Sequence, residues 1–155
     1  IPFLTGVNIN VEQFGELFKN EKIIGVKFTA ADFYLLERVR KAYPEHLIYA
    51  GFDEMMLSAS VLNVDGAIGS TFNLNGIRAR KIVGLVKEGK IDEARELQHI
   101  TNDFITDVLN NGLYSTLKTC LELQGVHAGY SRRPMKSASE AQKQRAKEIY
   151  EKYLK

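Results

Sequence analysis

The chain has 155 residues, 45% hydrophobic and 26% charged, which is the composition of a globular protein with one sizeable core. Its 21 basic and 19 acidic residues leave a net charge of +2, which gives no electrostatic case for nucleic acid or membrane partners. No apolar run approaches the roughly 18 residues of a membrane span, and a single cysteine, Cys120, excludes an internal disulfide and fits a reducing, cytoplasmic compartment.

The opening "IPFLTGVNIN" has neither a basic n-region nor a long apolar h-region, so it does not read as a signal peptide. It also lacks an initiator Met, which suggests a processed or cut chain. Residues 11–20 form a predicted helix with Val11, Phe14, Leu17 and Phe18 on one face, capped by Asn10 with Gln13 three residues on. "IIGVKFT" (23–29) is a strand, with Ile23, Ile24 and Val26 read as buried and Lys27 set among them. A helix over 31–44 is stopped by Pro44. A second strand, "LIYAG" (47–51), leads into a short helix over 52–63 with Asp53 and Glu54 in its first turn. A third strand, "GAIGS" (66–70), leads into a helix over 76–90.

After residue 90 the strand pattern stops. A long amphipathic helix spans 91–112, with Ile91, Ala94, Leu97, Phe104, Ile105 and Val108 facing inward, and Gly112 ends it. A further helix covers 113–126, and 127–135 is a loop. A charged helix closes the chain, with a Ser137/Glu140 capping pattern. Two parts are expected: βα units over 1–90 and a helical extension over 91–155 packed on them.

Strands alternating with helices imply parallel βαβ units, and short strands that are apolar on both faces suit a sheet covered by helices. The strands lie about 20 residues apart, near the spacing of barrel-type βα units. A closed (β/α)8 barrel takes eight strands and about 250 residues. Three strands therefore fit either a small open sheet or part of a barrel.

Ligands of parallel α/β folds bind beyond the carboxyl ends of the strands. Those ends read "VKFT", "YAGFDE" and "IGSTFN", and they bring an amine, two carboxylates, close-approach glycines and hydroxyls to one rim. Lys27 is the reactive candidate. A lysine desolvated among apolar groups becomes a neutral amine able to attack a carbonyl, whereas a lysine that snorkels to water does not. Asp53 and Glu54 are equally first-turn helix acids, and Gly69-Ser70-Thr71 is equally a strand-to-helix turn. His46, His99 and His127 share no ligand spacing, so no metal site is expected. Cys120 sits on an apolar helix face as a small core residue. No Walker loop and no GxGxxG occurs.

Taken together, "GVKFTAAD", "AGFDE" and "DGAIGSTFNLNG" resemble the N-acetylneuraminate lyases, the sialic acid aldolases within the dihydrodipicolinate synthase superfamily of class I aldolases. The resemblance spans the whole chain. It implies the C-terminal half of a TIM (β/α)8 barrel, strands six to eight, followed by a C-terminal helical extension. It also implies cleavage of N-acetylneuraminate to pyruvate and N-acetylmannosamine through a Schiff base on Lys27, with no cofactor. By the same resemblance Thr29 contacts substrate, Gly51, Asp53 and Glu54 hold the hydroxylated tail of the sugar, and Gly69 and Ser70 lie near the pyruvyl and hydroxyl end. The family's carboxylate-gripping Gly-Ser-Thr/Ser-Gly-Glu-type segment and its proton-shuttling tyrosine would precede Ile1. An N-terminal half of the barrel is thus an expected partner, and the full enzyme is expected to be a homotetramer. Two alternatives stand beside this reading: another pyruvate-dependent class I aldolase of the superfamily, and a non-catalytic half-barrel that acts only through association.

Overall fold

The computed structural model describes residues 1–155. A short turn of helix, α1 (Pro2–Thr5), precedes α2 (Val11–Phe18). Asn10 and Gln13 cap α2 reciprocally: the Asn10 side chain accepts from Gln13 N–H, and the Gln13 side chain accepts from Asn10 N–H, both at 2.9 Å. Phe14 is buried beneath the helix, but Leu17, expected on the same face, is 45% exposed. The inward stripe of α2 is narrower than its run of apolar residues.

Three βα units follow: β1 (Gly25–Phe28) with α3 (Phe33–Ala42), β2 (Leu47–Ala50) with α4 (Met56–Val61), and β3 (Gly66–Ala67) with α5 (Phe72–Lys87). The strands form one parallel sheet in the order β1-β2-β3, with Lys27 opposite Tyr49 and Ala50 opposite both Phe28 and Ala67. Strand faces alternate. Phe28 and Ile48 point to one face, where Phe14 of α2 and Leu36 and Val39 of α3 close over them. The opposite face carries Lys27, Leu47 and Tyr49, and none of these three is buried. Helices therefore cover one face of the sheet, not both.

Several boundaries differ from the sequence reading for identifiable reasons. Ile24 was expected to be buried, but it precedes the ladder at the outer strand and is 67% exposed. The third strand keeps only two ladder residues, although Asp65 N–H donates to Ile48 C=O and Ile68 N–H to Ala50 C=O, both at 2.9 Å. α5 begins at Phe72, four residues before its expected start, because Thr71 N–H donates to the Asp53 carboxylate at 2.9 Å. That partner lies 18 residues back along the chain, so no local pattern announces it. Asn75 breaks the helical geometry inside α5 (φ −111°, ψ 18°). The helix expected over 52–63 divides into a 3-10 turn, Asp53–Met55, and α4.

The chain finishes with α6 (Ile91–Asn111), α7 (Leu113–Leu123) and α8 (Glu140–Tyr153). Gly112, at φ 99°, separates α6 from α7 in a backbone conformation that favours glycine. Phe104, Ile105 and Val108 of α6 pack with Leu117 of α7 and Ile149 of α8. Ala94 of α6 meets Ile82 and Leu85 of α5, which ties the helical bundle to the βα units. The cap of α8 is Ser139 with Gln142 rather than Ser137 with Glu140. The chain offers two overlapping Ser-x-x-acid/amide patterns, and the one that coincides with the first helical turn forms the box.

Candidate active site at the carboxyl rim of the sheet

The parallel register brings the carboxyl ends of the three strands to one rim. Lys27 lies on the face of the sheet left open by the helices, and Thr29 follows directly after the end of β1. Lys27 is exposed, so of the two readings open for it the structure of residues 1–155 shows the lysine that reaches water. With Thr29 it lines a groove of about 490 Å³ whose other walls include Ile1, Pro2 and Ile9. Tyr49, which the sequence reading did not single out, sits opposite Lys27 and lies over Gly66. The signal that could have found it is its parity: two residues before Gly51, it shares a face with the rim.

Two pairs of rim residues are locked together by close approach. A Cβ at Gly51 would stand 1.9 Å from Thr29 Oγ1 and 3.0 Å from Thr29 Cα, so only glycine fits there. A Cβ at Gly69 would stand 1.4 Å from Asp53 Oδ1. Thr29 is 7% exposed and its hydroxyl has no hydrogen-bond partner within the chain, which leaves a buried donor and acceptor beside Gly51.

Asp53 is 6% exposed. Its Oδ2 accepts two bonds from Thr71, from N–H at 2.9 Å and from the hydroxyl at 2.5 Å. The carboxylate therefore pins the loop after β2 to the start of α5, where the helix dipole favours negative charge. Glu54 differs: it is exposed, and its carboxylate makes no hydrogen bond or ion pair within the chain. Of the two expected substrate carboxylates, one is built into the scaffold through Oδ2 and the other is free. Ser70 is half-buried beside Gly69, and its carbonyl accepts from the Asn73 side chain at 2.9 Å.

The histidines lie away from this rim. His46 stacks on Phe18 at 3.9 Å between ring centres, His127 approaches Glu122 at 3.1 Å, and His99 is exposed on α6. No group of three or more His, Cys, Asp or Glu side chains is placed to hold a metal ion. Cys120 is buried between α7 and α8 with Sγ 3.6 Å from Ala146 C=O, and burial pushes its thiol up to about 11. A larger groove, about 860 Å³, runs along α5 past Ala67, Phe72, Ile77, Arg80 and Gly84, and contains none of the predicted site residues.

Residues 1–153 match the model of the dihydrodipicolinate synthetase family. The chain belongs to that family. Among curated members, it is 69% identical over 154 residues to the N-acetylneuraminate lyase of Clostridium perfringens strain SM101, which covers 99% of this chain and 54% of that protein. It is 66% identical to the N-acetylneuraminate lyase of Fusobacterium nucleatum, covering 100% of this chain and 53% of that protein. The crystal structure of the Fusobacterium nucleatum lyase complexed with pyruvate superposes with a TM-score of 0.94 at 66% identity, over 100% of this chain and 53% of that one. A Clostridium difficile protein crystallised in complex with mannosamine superposes with a TM-score of 0.95 at 70% identity, over 99% of this chain and 53% of that one. The chain spans about half the length of the dihydrodipicolinate synthetase family members that it matches. No helix in it is long and apolar enough to cross a membrane.

Proposed function

We propose that this chain is the C-terminal half-barrel, strands six to eight and the following helices, of an aldolase that cleaves N-acetylneuraminate to pyruvate and N-acetylmannosamine. Residues 1–90 contribute the βα units and residues 91–155 the helical extension. The observation that supports the reading is the parallel register, which turns the strand ends carrying Lys27, Thr29, Asp53 and Glu54 the same way, in a chain 65–69% identical to N-acetylneuraminate lyases over 99% or more of its length.

In this reading the Lys27 amine adds to the keto carbon of the open-chain sugar and one water leaves, forming an imine. Once protonated, the imine accepts the electron pair of the breaking C3–C4 bond while the C4 hydroxyl gives up its proton. N-acetylmannosamine departs as the aldehyde and an enamine remains on Lys27. Protonation of the enamine carbon and addition of one water release pyruvate and restore the amine. No cofactor enters this sequence. Thr29 contacts the substrate. Gly51, Asp53 and Glu54 present acceptors to the hydroxylated tail, and Gly69 and Ser70 lie near the pyruvyl and hydroxyl end. The carboxylate grip and the proton-relaying tyrosine come from an N-terminal half. The assembled enzyme is a cytoplasmic homotetramer in this reading, and the lone cysteine fits a reducing compartment.

Borohydride reduction in the presence of pyruvate tests the proposal on the complete enzyme that carries this segment. One reduced pyruvyl adduct, mapped by peptide mass to Lys27, is expected. Lys27→Arg should give neither adduct nor cleavage, because guanidinium stays protonated and forms no imine. An adduct at another lysine, or turnover by Lys27→Arg, would sink the assignment.

A further inference from the structure

We propose that Gln98 and Asn102, one turn apart on α6, are positioning residues that set the enzyme's affinity for the hydroxylated tail of its substrate. The inference rests on the functional reading above and adds residues outside the strand ends. The 3-10 turn that carries Asp53 and Glu54 is gripped from two sides. On one side Thr71 holds the Asp53 carboxylate. On the other, α6 holds the backbone of the turn.

Gln98 is 6% exposed, an unusual burial for an amide side chain on an otherwise amphipathic helix. Its Oε1 accepts from Leu57 N–H at 2.9 Å, satisfying one of the unpaired donors at the start of α4. That bond fixes which way the amide points. The amide nitrogen then donates to Asp53 C=O at 3.2 Å and to Asn102 Oδ1 at 2.8 Å. With its oxygen so engaged, Asn102 directs its own nitrogen to Glu54 C=O at 3.2 Å. The chain of donors and acceptors has one direction only, and it ends on the carbonyls of Asp53 and Glu54.

The Glu54 side chain itself has no contact that orients it, so its position depends on its backbone. Anchoring the Glu54 carbonyl from α6 fixes the backbone from which the exposed carboxylate extends. Lys27 sits on β1, the grip holds the turn that follows β2, and the two share no hydrogen bond. The network therefore acts on tail recognition and not on imine formation.

The test compares Asn102→Asp and Gln98→Glu with the wild type in the complete enzyme. Both changes preserve side-chain size. Asn102→Asp cannot donate to Glu54 C=O, and Gln98→Glu still accepts from Leu57 N–H but cannot donate to Asp53 C=O. A rise in KM for N-acetylneuraminate of about 3- to 10-fold is expected, the equivalent of one ordinary hydrogen bond. The rate of borohydride trapping with pyruvate should stay within about twofold of wild type. If trapping falls in step with KM, the pair merely supports the fold, and if KM is unchanged, the turn needs no grip from α6; either result overturns the inference. A wild-type enzyme that traps pyruvate but leaves N-acetylneuraminate uncleaved overturns the functional reading, and the inference with it.

Discussion

At the rim, chemistry is limited by how closely backbone and side chain approach. Gly51 and Gly69 are the clearest cases. Gly51→Ala forces a Cβ to 1.9 Å from Thr29 Oγ1 and 3.0 Å from Thr29 Cα, and that backbone atom has no side-chain torsion to yield. Gly69→Ala meets Asp53 Oδ1, the far end of a side chain, but one that Thr71 already holds. Both substitutions are expected to destabilise by about 1–3 kcal/mol as local overpacking, with Gly51→Ala the worse, in paired urea melts. Equal melting midpoints for Gly51→Ala and wild type would contradict these approach distances. Asp53→Ala removes the shared acceptor of two Thr71 donors in a buried site, at a cost of about 1–3 kcal/mol per unsatisfied group. It should therefore lower stability as well as tail affinity, whereas Glu54→Ala should weaken substrate binding with little change in melting temperature. This contrast was not legible in the sequence, where Asp53 and Glu54 are adjacent acids of equal standing. The partner that separates them, Thr71, lies 18 residues away.

Elements report the same division between local and distant causes. The Asn10 cap of α2, the stop of α3 ahead of Pro44 and the break at Gly112 are short-range, and the sequence predicts each of them. The early start of α5 and the burial of Gln98 and Thr101 within α6 depend on neighbours brought in by the fold, and no periodicity encodes them. Asp65 is a further tertiary link. Its Oδ2 accepts from Ile48 N–H at 2.7 Å and pairs with Arg40, joining the loop before β3 to β2 and α3. Burial pushes the Asp65 carboxyl up, and the hydrogen bond from Ile48 N–H together with the Arg40 guanidinium outweighs that effect, so the group is held below its ordinary value. A carboxyl depressed in the folded state contributes stability that is fully present above its unfolded value of about 3.9 and is lost as pH falls through its lower folded value. Asp65→Asn should accordingly flatten the acid limb of the stability curve below about pH 4. Denaturant midpoints at a series of pH values measure this, and parallel curves for the two proteins would remove Asp65 from the acid response. Cys120, with its thiol pushed up to about 11 by burial, should resist alkylation at neutral pH until α7 and α8 separate, which a denaturant-titrated labelling assay reads directly.

Over the whole molecule, the distribution of apolar surface follows the one-sided covering of the sheet. Ile77 on α5 is 88% exposed beside the long groove, and Ile24 and Ile68 flank the two outer strands. On the proposed half-barrel reading, the polypeptide of residues 1–155 on its own is expected to self-associate and to gain lyase activity only with an N-terminal half. Sedimentation with a cleavage assay before and after adding that half decides it, and a monodisperse, fully active monomer would contradict the half-barrel reading. The parallel βα order was legible because strand and helix periods alternate cleanly up to residue 90. The bare sheet face was not, because Leu47 and Tyr49 are as apolar as Ile48 and Ala50, and only the register says which pair the helices cover. The central position of β2 has a consequence for solvent exchange. Leu47 N–H and Gly51 N–H are bonded to the carbonyls of Ile24 and Phe28, at 3.0 and 2.8 Å, whereas Ile48 N–H is bonded to the Asp65 carboxylate. On acidification well below pH 4, through the depressed folded value of Asp65, the two carbonyl-bonded amides should keep their deuterium protection while Ile48 loses some of its own. One backbone proton at the middle of the sheet thus reports the charge of a side chain from the loop that leads into the next strand.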